Sequence, residues 1–249
     1  MRVLVVIPAR LLSTRLPEKL LLRETGKCLV QHTWEAARGA GRADRVVIAA
    51  DHERILEAAR EFGAEALLTS PEHPSGTDRV AEVARVLEER GEVYELVVNV
   101  QGDEPELDPA AIDELVALME QDPEAGMGTL AEPLVDPAEV VLPQVVKVVR
   151  DRRGRALYFS RAPIPSGAEP GGQPAPLRHL GIYAYRPALL QELCRLEPAP
   201  LELAEKLEQL RALWHGHAIQ VGVLSRPGAR GIDTRADYDA FLARHAAAR

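Results

Sequence analysis

Val3-Leu-Val-Val-Ile-Pro-Ala-Arg-Leu-Leu-Ser-Thr-Arg-Leu-Pro-Glu-Lys19 is the stretch on which the fold turns. It opens with an unbroken aliphatic run, Val3 to Ile7, which suits a strand covered on both faces, because a strand with one wet face would alternate. Pro8 and Arg10 interrupt the run at once, so it reads as a first core strand and not as the apolar core of a signal peptide. Arg10, Arg15 and Lys19 then fall within ten residues, beside Ser13 and Thr14. In α/β sheets ligands bind at the carboxyl ends of strands, where this loop would lie.

Working outward, Arg45 to Ala50, the weaker Ala66 to Leu68 and Glu95 to Val100 are further strand candidates. Between them Leu29 to Ala40, Asp51 to Phe62, Ser75 to Arg90 and Pro109 to Gln121 carry helical spacing. Regular alternation of this kind predicts α/β architecture, mainly a parallel sheet with helices on both faces. The second half is less regular. Lys147 to Arg150, Ala156 to Phe159, His179 to Tyr185 and Gln220 to Ser225 read as strands, and Pro187 to Leu196, Leu201 to Trp214 and Ala236 to Ala246 as helices. Strands that follow one another directly over 147–159 predict a smaller antiparallel addition, which makes the sheet mixed. Pro163 to Pro176 holds five prolines and three glycines in fourteen residues and is expected to be a surface loop. No internal repeat is visible, and residues 1–249 are read as a single domain.

Composition narrows the partners. The chain has 249 residues, 30 Lys+Arg against 38 Asp+Glu, a formal charge of −8 and 4% aromatic residues. An acidic, aromatic-poor chain argues against a nucleic-acid groove or an anionic membrane as the main partner. No apolar stretch approaches the roughly 18 residues a bilayer span needs. Any anionic ligand must therefore be held by a local basic cluster or a metal. Cys28 and Cys194 are too few and too far apart for a disulfide framework or thiolate metal site, and both are expected to be buried free thiols in a reducing compartment.

Five segments carry the polar residues that could do chemistry. The loop with Arg10, Ser13, Thr14, Arg15 and Lys19 supplies convergent charge-assisted donors, which polyphosphate binding requires and which a solvated loop would also contain. Neither G-x-G-x-x-G nor G-x-x-x-x-G-K-[ST] occurs here, so dehydrogenases and P-loop enzymes lose ground. In Asn99-Val-Gln-Gly-Asp-Glu-Pro105, Gly102 permits a tight turn, and Asp103 either holds Mg²⁺ against substrate phosphates or satisfies turn amides. Glu104 faces solvent or supports the turn. In His73-Pro-Ser-Gly-Thr-Asp-Arg79, Ser75 or Thr77 caps a helix, and the small residues equally suit close approach of a flat base. In Gly231-Ile-Asp-Thr-Arg-Ala-Asp237, Asp233 is a metal ligand or, with Thr234, a capping residue. In Leu201 to Trp214, residues 203, 207, 210 and 214 form a core-facing stripe that Glu205, Glu208, Gln209 and Arg211 leave.

Taken together, VVIPARLLSTRLPEKLL, ADHE, HPSGTDR, VNVQGDEP, ALYFSRAPIP, RHLGIYAYR, LEQLRALWHG and GIDTRADY, in this order, closely resemble the 3-deoxy-manno-octulosonate cytidylyltransferases, or CMP-Kdo synthetases, from Val3 to about Tyr238. The resemblance implies a nucleotide-diphospho-sugar transferase-like fold, with residues 1–125 mainly nucleotide-binding and 126–249 mainly acceptor-binding and dimerising. It implies CMP transfer from CTP to the anomeric hydroxyl of Kdo with release of pyrophosphate, Mg²⁺ dependence, a homodimer, and a cytoplasmic role in lipopolysaccharide biosynthesis. By the matching motifs, Arg10, Ser13, Arg15 and Lys19 contact the triphosphate, and His73, Ser75, Gly76 and Thr77 contact the cytidine. Gln101, His179, Tyr183, Glu208 and Gln209 line the sugar site, and Asp103 with Asp233 holds magnesium. Lys19, Asp103 and Arg15 carry the catalytic assignment.

The family pattern is broken twice. Pro165 is followed by Ser166-Gly-Ala-Glu-Pro-Gly-Gly where an aromatic-Asp-Arg run with a carboxylate-binding arginine is usual, so Arg161 or Arg178 replaces that clamp or the acceptor is another sugar acid, such as a sialic acid or amino-Kdo. Glu18 stands where a glycine is usual before the lysine. A catalytically silent nucleotide-binding relative is disfavoured by the retained Lys19, Asp103 and Asp233.

Overall fold

The computed structural model describes residues 1–172, 174–226, 228 and 230–247. In chain order the elements are β1 (Val3–Ala9), a 3-10 turn (Lys19–Leu21), α1 (Leu29–Arg38), β2 (Arg45–Ala50), α2 (Glu53–Glu61), β3 (Ala66–Leu68), α3 (Gly76–Glu89) and β4 (Leu96–Asn99). There follow α4 (Pro109–Gln121), β5 (Met127–Pro133), α5 (Pro137–Val140), β6 (Lys147–Arg150), β7 (Ala156–Ser160) and β8 (Leu177–Tyr185). The chain finishes with α6 (Pro187–Leu193), α7 (Pro200–Glu205), α8 (Leu210–Trp214), β9 (Ile219–Val223) and α9 (Arg235–Ala247). The fold is mixed α/β with mostly parallel strand pairing and some antiparallel strands. The chain divides into two compact units, Met1–Asp113 with Ala229–Arg249, and Glu114–Gly228.

In the first unit β3, β2, β1 and β4 lie side by side in that order, all parallel. Leu4, Val5, Val6 and Ile7 are fully buried, as the unbroken aliphatic run predicts, and Ile48, Leu96 and Val98 join them. Each such side chain contributes roughly 1.5–3 kcal/mol on burial. The helices pack by their apolar stripes, Ile55, Leu56, Ala58 and Ala59 on α2 and Val80, Ala81, Val83 and Leu87 on α3. Ser75 caps α3, accepting from the Asp78 amide at 3.2 Å while its hydroxyl donates to the Asp78 carboxylate at 2.6 Å.

In the second unit β5 lies between β8, to which it is antiparallel, and β9, to which it is parallel. β6 and β7 form the antiparallel pair expected over 147–159. β5 itself is absent from the sequence reading. Met-Gly-Thr-Leu-Ala-Glu-Pro has neither alternation nor a β-branched run, and its strand character comes from hydrogen-bonding neighbours on both sides and burial from Met127 to Glu132. Gly128 fits there because a Cβ would lie 2.5 Å from Met119 Sδ on α4.

A second correction concerns Leu201 to Trp214. This is two short helices, α7 and α8, broken at Lys206, which takes the left-handed conformation (φ 54°, ψ 49°). Arg211 donates to both oxygens of Glu202 (2.6 and 2.9 Å), and Glu202 also accepts from the Ala199 amide at 3.0 Å. In one continuous helix residues nine apart would be separated by about 13 Å along the axis, too far for that clamp. The break resets the helical phase. Leu203 and Trp214 are 65% and 54% exposed, whereas Leu207 and Leu210 are buried and Gln209, expected to leave the stripe, is buried with them. Cys28 is buried as expected, but Cys194 is only half-buried, and neither forms a disulfide. Between Pro163 and Pro176 the described residues form turns and bends without helix or strand, and Gln173 lies outside the described residues.

Candidate active site

Because β1 to β4 run parallel, the segments leaving their carboxyl ends collect at one edge of the first unit. These are residues 10–19 after β1, Asp51 after β2, residues 69–75 after β3 and residues 100–105 after β4. The Leu11 amide donates to Asp51 Oδ1 at 2.8 Å, which joins the first loop to the second. Gly102 is required for a reason other than turn conformation: a Cβ there would lie 2.9 Å from the Pro8 carbonyl oxygen, so only glycine lets β1 pass so close. Thr33 Oγ1 donates to the Gly102 carbonyl at 3.0 Å and anchors the same turn from α1. Glu104 is buried and supports the turn, its amide bonded to the Gln101 carbonyl at 3.2 Å.

Lys19, Asp103 and Asp233, three residues far apart in sequence, meet here. Lys19 Nζ donates to an Asp103 carboxylate oxygen, to the Ile232 carbonyl at 2.8 Å and to Asp233 Oδ1 at 3.0 Å. Arg15 pairs with the other Asp233 oxygen at 2.9 Å. The Asp103 carbonyl accepts from the Ile232 amide at 2.9 Å, tying the β4 turn to the segment before α9. Thr234 does the capping that the sequence left open: the Asp237 amide donates to its hydroxyl at 3.2 Å, and Asp237 in turn accepts from the Asp233 and Thr234 amides at 3.1 and 2.8 Å. Asp233 therefore keeps its carboxylate for the cluster. The Asp237 carboxyl, which burial alone would raise, is held below its usual range by the Thr234 hydroxyl and these amides.

The cluster has two carboxylates and two cations, with Lys19 12% and Asp103 24% exposed at the side chain. Among the described residues no group of three or more His, Cys, Asp or Glu side chains comes together as a metal cage. Two carboxylates converging on a single cationic point are the donor set suited to Mg²⁺, which commonly takes one or two carboxylates and completes its shell with water and substrate phosphate.

Beside the cluster, Arg10 and Arg15 are exposed and Ser13 is half-buried. Ser75, Gly76 and Thr77 form the start of α3, where Gly76 packs on Pro8 of β1. His73 Nε2 lies 2.6 Å from Glu82. Burial would raise the Glu82 carboxyl, but the Ser70 amide and His73 hold it below the ordinary range. Arg79 is a residue the sequence reading left without a role. It is 2% exposed, donates to Thr69 Oγ1 and the Ser70 carbonyl at 2.9 Å each, and stands 3.8 Å from Asp51, so it binds the ends of β2 and β3 to α3. Gln101 Nε2 donates to Asn99 Oδ1 at 3.3 Å.

The remaining candidates lie in the second unit. His179 on β8 is buried against Phe159 and Tyr183, at ring-centroid distances of 5.0 and 5.4 Å. Thr129 Oγ1 donates to the Ile182 carbonyl at 2.7 Å and lies 3.0 Å from His179 Nε2, so this nitrogen carries the proton and donates to Thr129. Burial, helped by Arg178, pushes His179 down to about 3, which keeps the ring neutral. Arg161 donates to the carbonyls of Glu205, Pro143 and Lys206 (2.7, 2.9 and 3.2 Å), and Arg178 pairs with Glu132 at 2.9 Å. Lys147, given no role from sequence, and Glu205, read only as leaving the helical stripe, hold Arg161 in place. Lys147 Nζ donates to the Leu142, Val145 and Arg161 carbonyls, and Glu205 accepts from Ser160 Oγ at 2.6 Å and the Arg161 amide at 2.9 Å. Gln209 Nε2 is buried and has no hydrogen-bond partner among the described residues.

Comparison with known proteins places the whole chain among relatives. The family model described as cytidylyltransferase matches residues 4–219. A 3-deoxy-manno-octulosonate cytidylyltransferase of Halorhodospira halophila is 50% identical over 248 residues, covering 96% of this chain and 95% of the relative. One of the same name from Syntrophobacter fumaroxidans is 48% identical, covering 97% and 96%. Among solved structures, a CMP:2-keto-3-deoxy-manno-octonic acid synthetase complexed with CTP superposes with a TM-score of 0.93 at 37% identity over the whole of both chains. A cytidylyltransferase from Leptospira borgpetersenii, 17% identical, shares the fold with a TM-score of 0.62 over 97% of this chain and 85% of its own.

Proposed function

This chain belongs to the 3-deoxy-manno-octulosonate cytidylyltransferase family, and we propose from that premise how its residues divide the work of transferring CMP from CTP to Kdo. The anomeric hydroxyl oxygen of Kdo attacks the α-phosphorus. A new P–O bond forms, the bond to the β-phosphate oxygen breaks, pyrophosphate leaves with the bonding pair, and the hydroxyl proton passes to solvent. Such a reaction asks the protein mainly for alignment and charge neutralisation. The observation that carries the reading is the convergence of Lys19, Arg15, Asp103 and Asp233 at the carboxyl edge of the parallel strands.

Arg10, Ser13, Arg15 and Lys19 bind the triphosphate, with Lys19 stabilising charge at the phosphates, and His73, Ser75, Gly76 and Thr77 receive the cytidine. Asp103 and Asp233 would hold Mg²⁺. When bound, that ion neutralises phosphate oxygens and so lowers repulsion between the two anionic substrates. Gln101, His179, Tyr183, Glu208 and Gln209 serve the sugar. The orphaned Gln209 amide supports this, since a buried donor without a partner costs about 1–3 kcal/mol, which a substrate oxygen would remove. His179, neutral and locked through Thr129, offers an apolar, polarisable wall and not a charge. Either Arg161, whose guanidinium donates to three carbonyls, or Arg178, which pairs with Glu132, receives the sugar carboxylate. We further propose a cytoplasmic homodimer that supplies activated sugar for lipopolysaccharide assembly. That Cys28 and Cys194 form no disulfide supports a reducing compartment.

The test is pyrophosphate release from CTP and Mg²⁺ with Kdo, sialic acid or amino-Kdo as acceptor. Release with Kdo alone upholds the reading, and turnover of another acid with Kdo inert overturns the acceptor assignment while leaving the nucleotide half.

A further inference from the structure

Glu18, immediately before Lys19, is one of two non-glycine residues at positive φ among the described residues, at φ 51° and ψ 30°. A side chain with a Cβ rarely occupies that region. The conformation has a consequence for the cluster. The Glu18 carbonyl accepts from the Leu21 amide at 2.8 Å to form the 3-10 turn that starts at Lys19, and the left-handed step at Glu18 sets the direction in which Lys19 leaves the backbone. Were residue 18 to relax to an extended or right-handed conformation, Lys19 Nζ would be carried away from Asp103, Asp233 and the Ile232 carbonyl.

Arg54, in the first turn of α2, grips both oxygens of the Glu18 carboxylate, with Nη2 to Oε2 at 2.7 Å and Nη1 to Oε1. This fork fixes side-chain direction as well as charge, and it is the main cause holding the Glu18 carboxyl below its usual range. A second tie from the same helix, Glu61 to Arg23 at 2.6 Å, holds the far end of the turn. A charged residue next to a polyphosphate-binding lysine would otherwise oppose an anionic ligand.

We propose that Arg54 is a positioning residue for the transfer reaction: through its fork on Glu18 it keeps the strained left-handed step in place and turns the Glu18 charge away, which aims Lys19. The proposal rests on the reading of Lys19 as a triphosphate ligand. Its test is a cycle of Arg54→Ala, Arg54→Gln, Glu18→Gly and the double variant Glu18→Gly/Arg54→Ala, assayed for kcat and for KM of CTP and of the sugar acid. Both Arg54 variants should lose about tenfold or more in kcat/KM for CTP, towards the roughly 10²-fold that a displaced catalytic group can cost, with KM for the sugar unchanged. Glu18→Gly should work like wild type and should restore the double variant to within about twofold, because glycine takes positive φ unaided and brings no charge. Amide exchange at Leu21 supplies a readout apart from turnover: faster in Arg54→Ala, wild-type in the double variant.

Unchanged kinetics in both Arg54 variants would overturn the proposal, as would a loss that glycine at position 18 fails to rescue. If instead Lys19→Ala leaves CTP binding intact in a calorimetric titration, the assignment of Lys19 itself falls, an outcome distinct from failure of the cycle.

Discussion

Lys19 makes three hydrogen bonds from one ammonium group, and two of its acceptors are carboxylates. Removing it leaves Asp103 and Asp233 facing one another, with Arg15 as the remaining cation of the cluster. Lys19→Ala is therefore expected to lower kcat by about 10²-fold or more, the scale seen when a charge-stabilising donor is lost, and steady-state kinetics will show it. Asp103→Asn keeps shape and the backbone bond to Ile232 while removing a negative charge. Turnover should disappear with the melting temperature within a few degrees of wild type, and activity near wild type would remove Asp103 from the metal assignment. Cys28→Ser should matter little to turnover, because burial pushes that thiol up and leaves it inert.

At the scale of elements, close approach decides more than propensity does. The turn after β4 passes under the Pro8 carbonyl, and Gly102→Ala forces 2.9 Å between a methyl carbon and a backbone oxygen that has little room to yield. We expect a stability loss of about 1–3 kcal/mol, readable by denaturant titration, together with reduced turnover because Asp103 moves with the turn. The break between α7 and α8 shows the same principle. A helical stripe could be read from Leu203 to Trp214, yet the bidentate pair of Arg211 with Glu202 and the left-handed Lys206 bend the chain, bury Gln209 and leave Leu203 in water. If the α8 side serves the sugar, Glu208→Ala should raise KM for the acceptor several-fold while changing KM for CTP by less than about twofold, the reverse split placing that segment with the nucleotide.

At the scale of the whole molecule, acid response follows from groups whose folded pKa lies below the unfolded value. His179 binds its proton near pH 6.5 when unfolded but only at about 3 when folded. Its contribution is complete above pH 6.5 and is lost progressively as pH falls from 6.5 towards 3, at up to about 1.4 kcal/mol per pH unit. The lowered carboxyls of Glu82 and Asp237 act in the same direction at lower pH, from below about 4.5 and 3.8 respectively. Stability measured by urea titration should decline below pH 6.5, and in His179→Gln the slope between 6.5 and 4.5 should flatten.

The parallel strand–helix alternation of the first half was legible in the residues alone, because a strand buried on both faces must be aliphatic throughout and a packed helix must be striped. The family was legible in the order of the motifs from VVIPARLLSTRLPEKLL to GIDTRADY, and relatives about 50% identical bear it out. Which residues meet is a matter of long-range packing. Asp103 and Asp233 are brought to one lysine by the parallel strand order and by the return of the chain through Ile232. Strand β5 acquires its state from the strands on either side of it, and Gln209 is buried after a helix break at the left-handed Lys206, across which Arg211 clamps Glu202. Periodicity is local and one-dimensional, so it cannot register a long-range hydrogen bond, a carbonyl in the path of a methyl group, or a left-handed residue held in place by an arginine from the next helix.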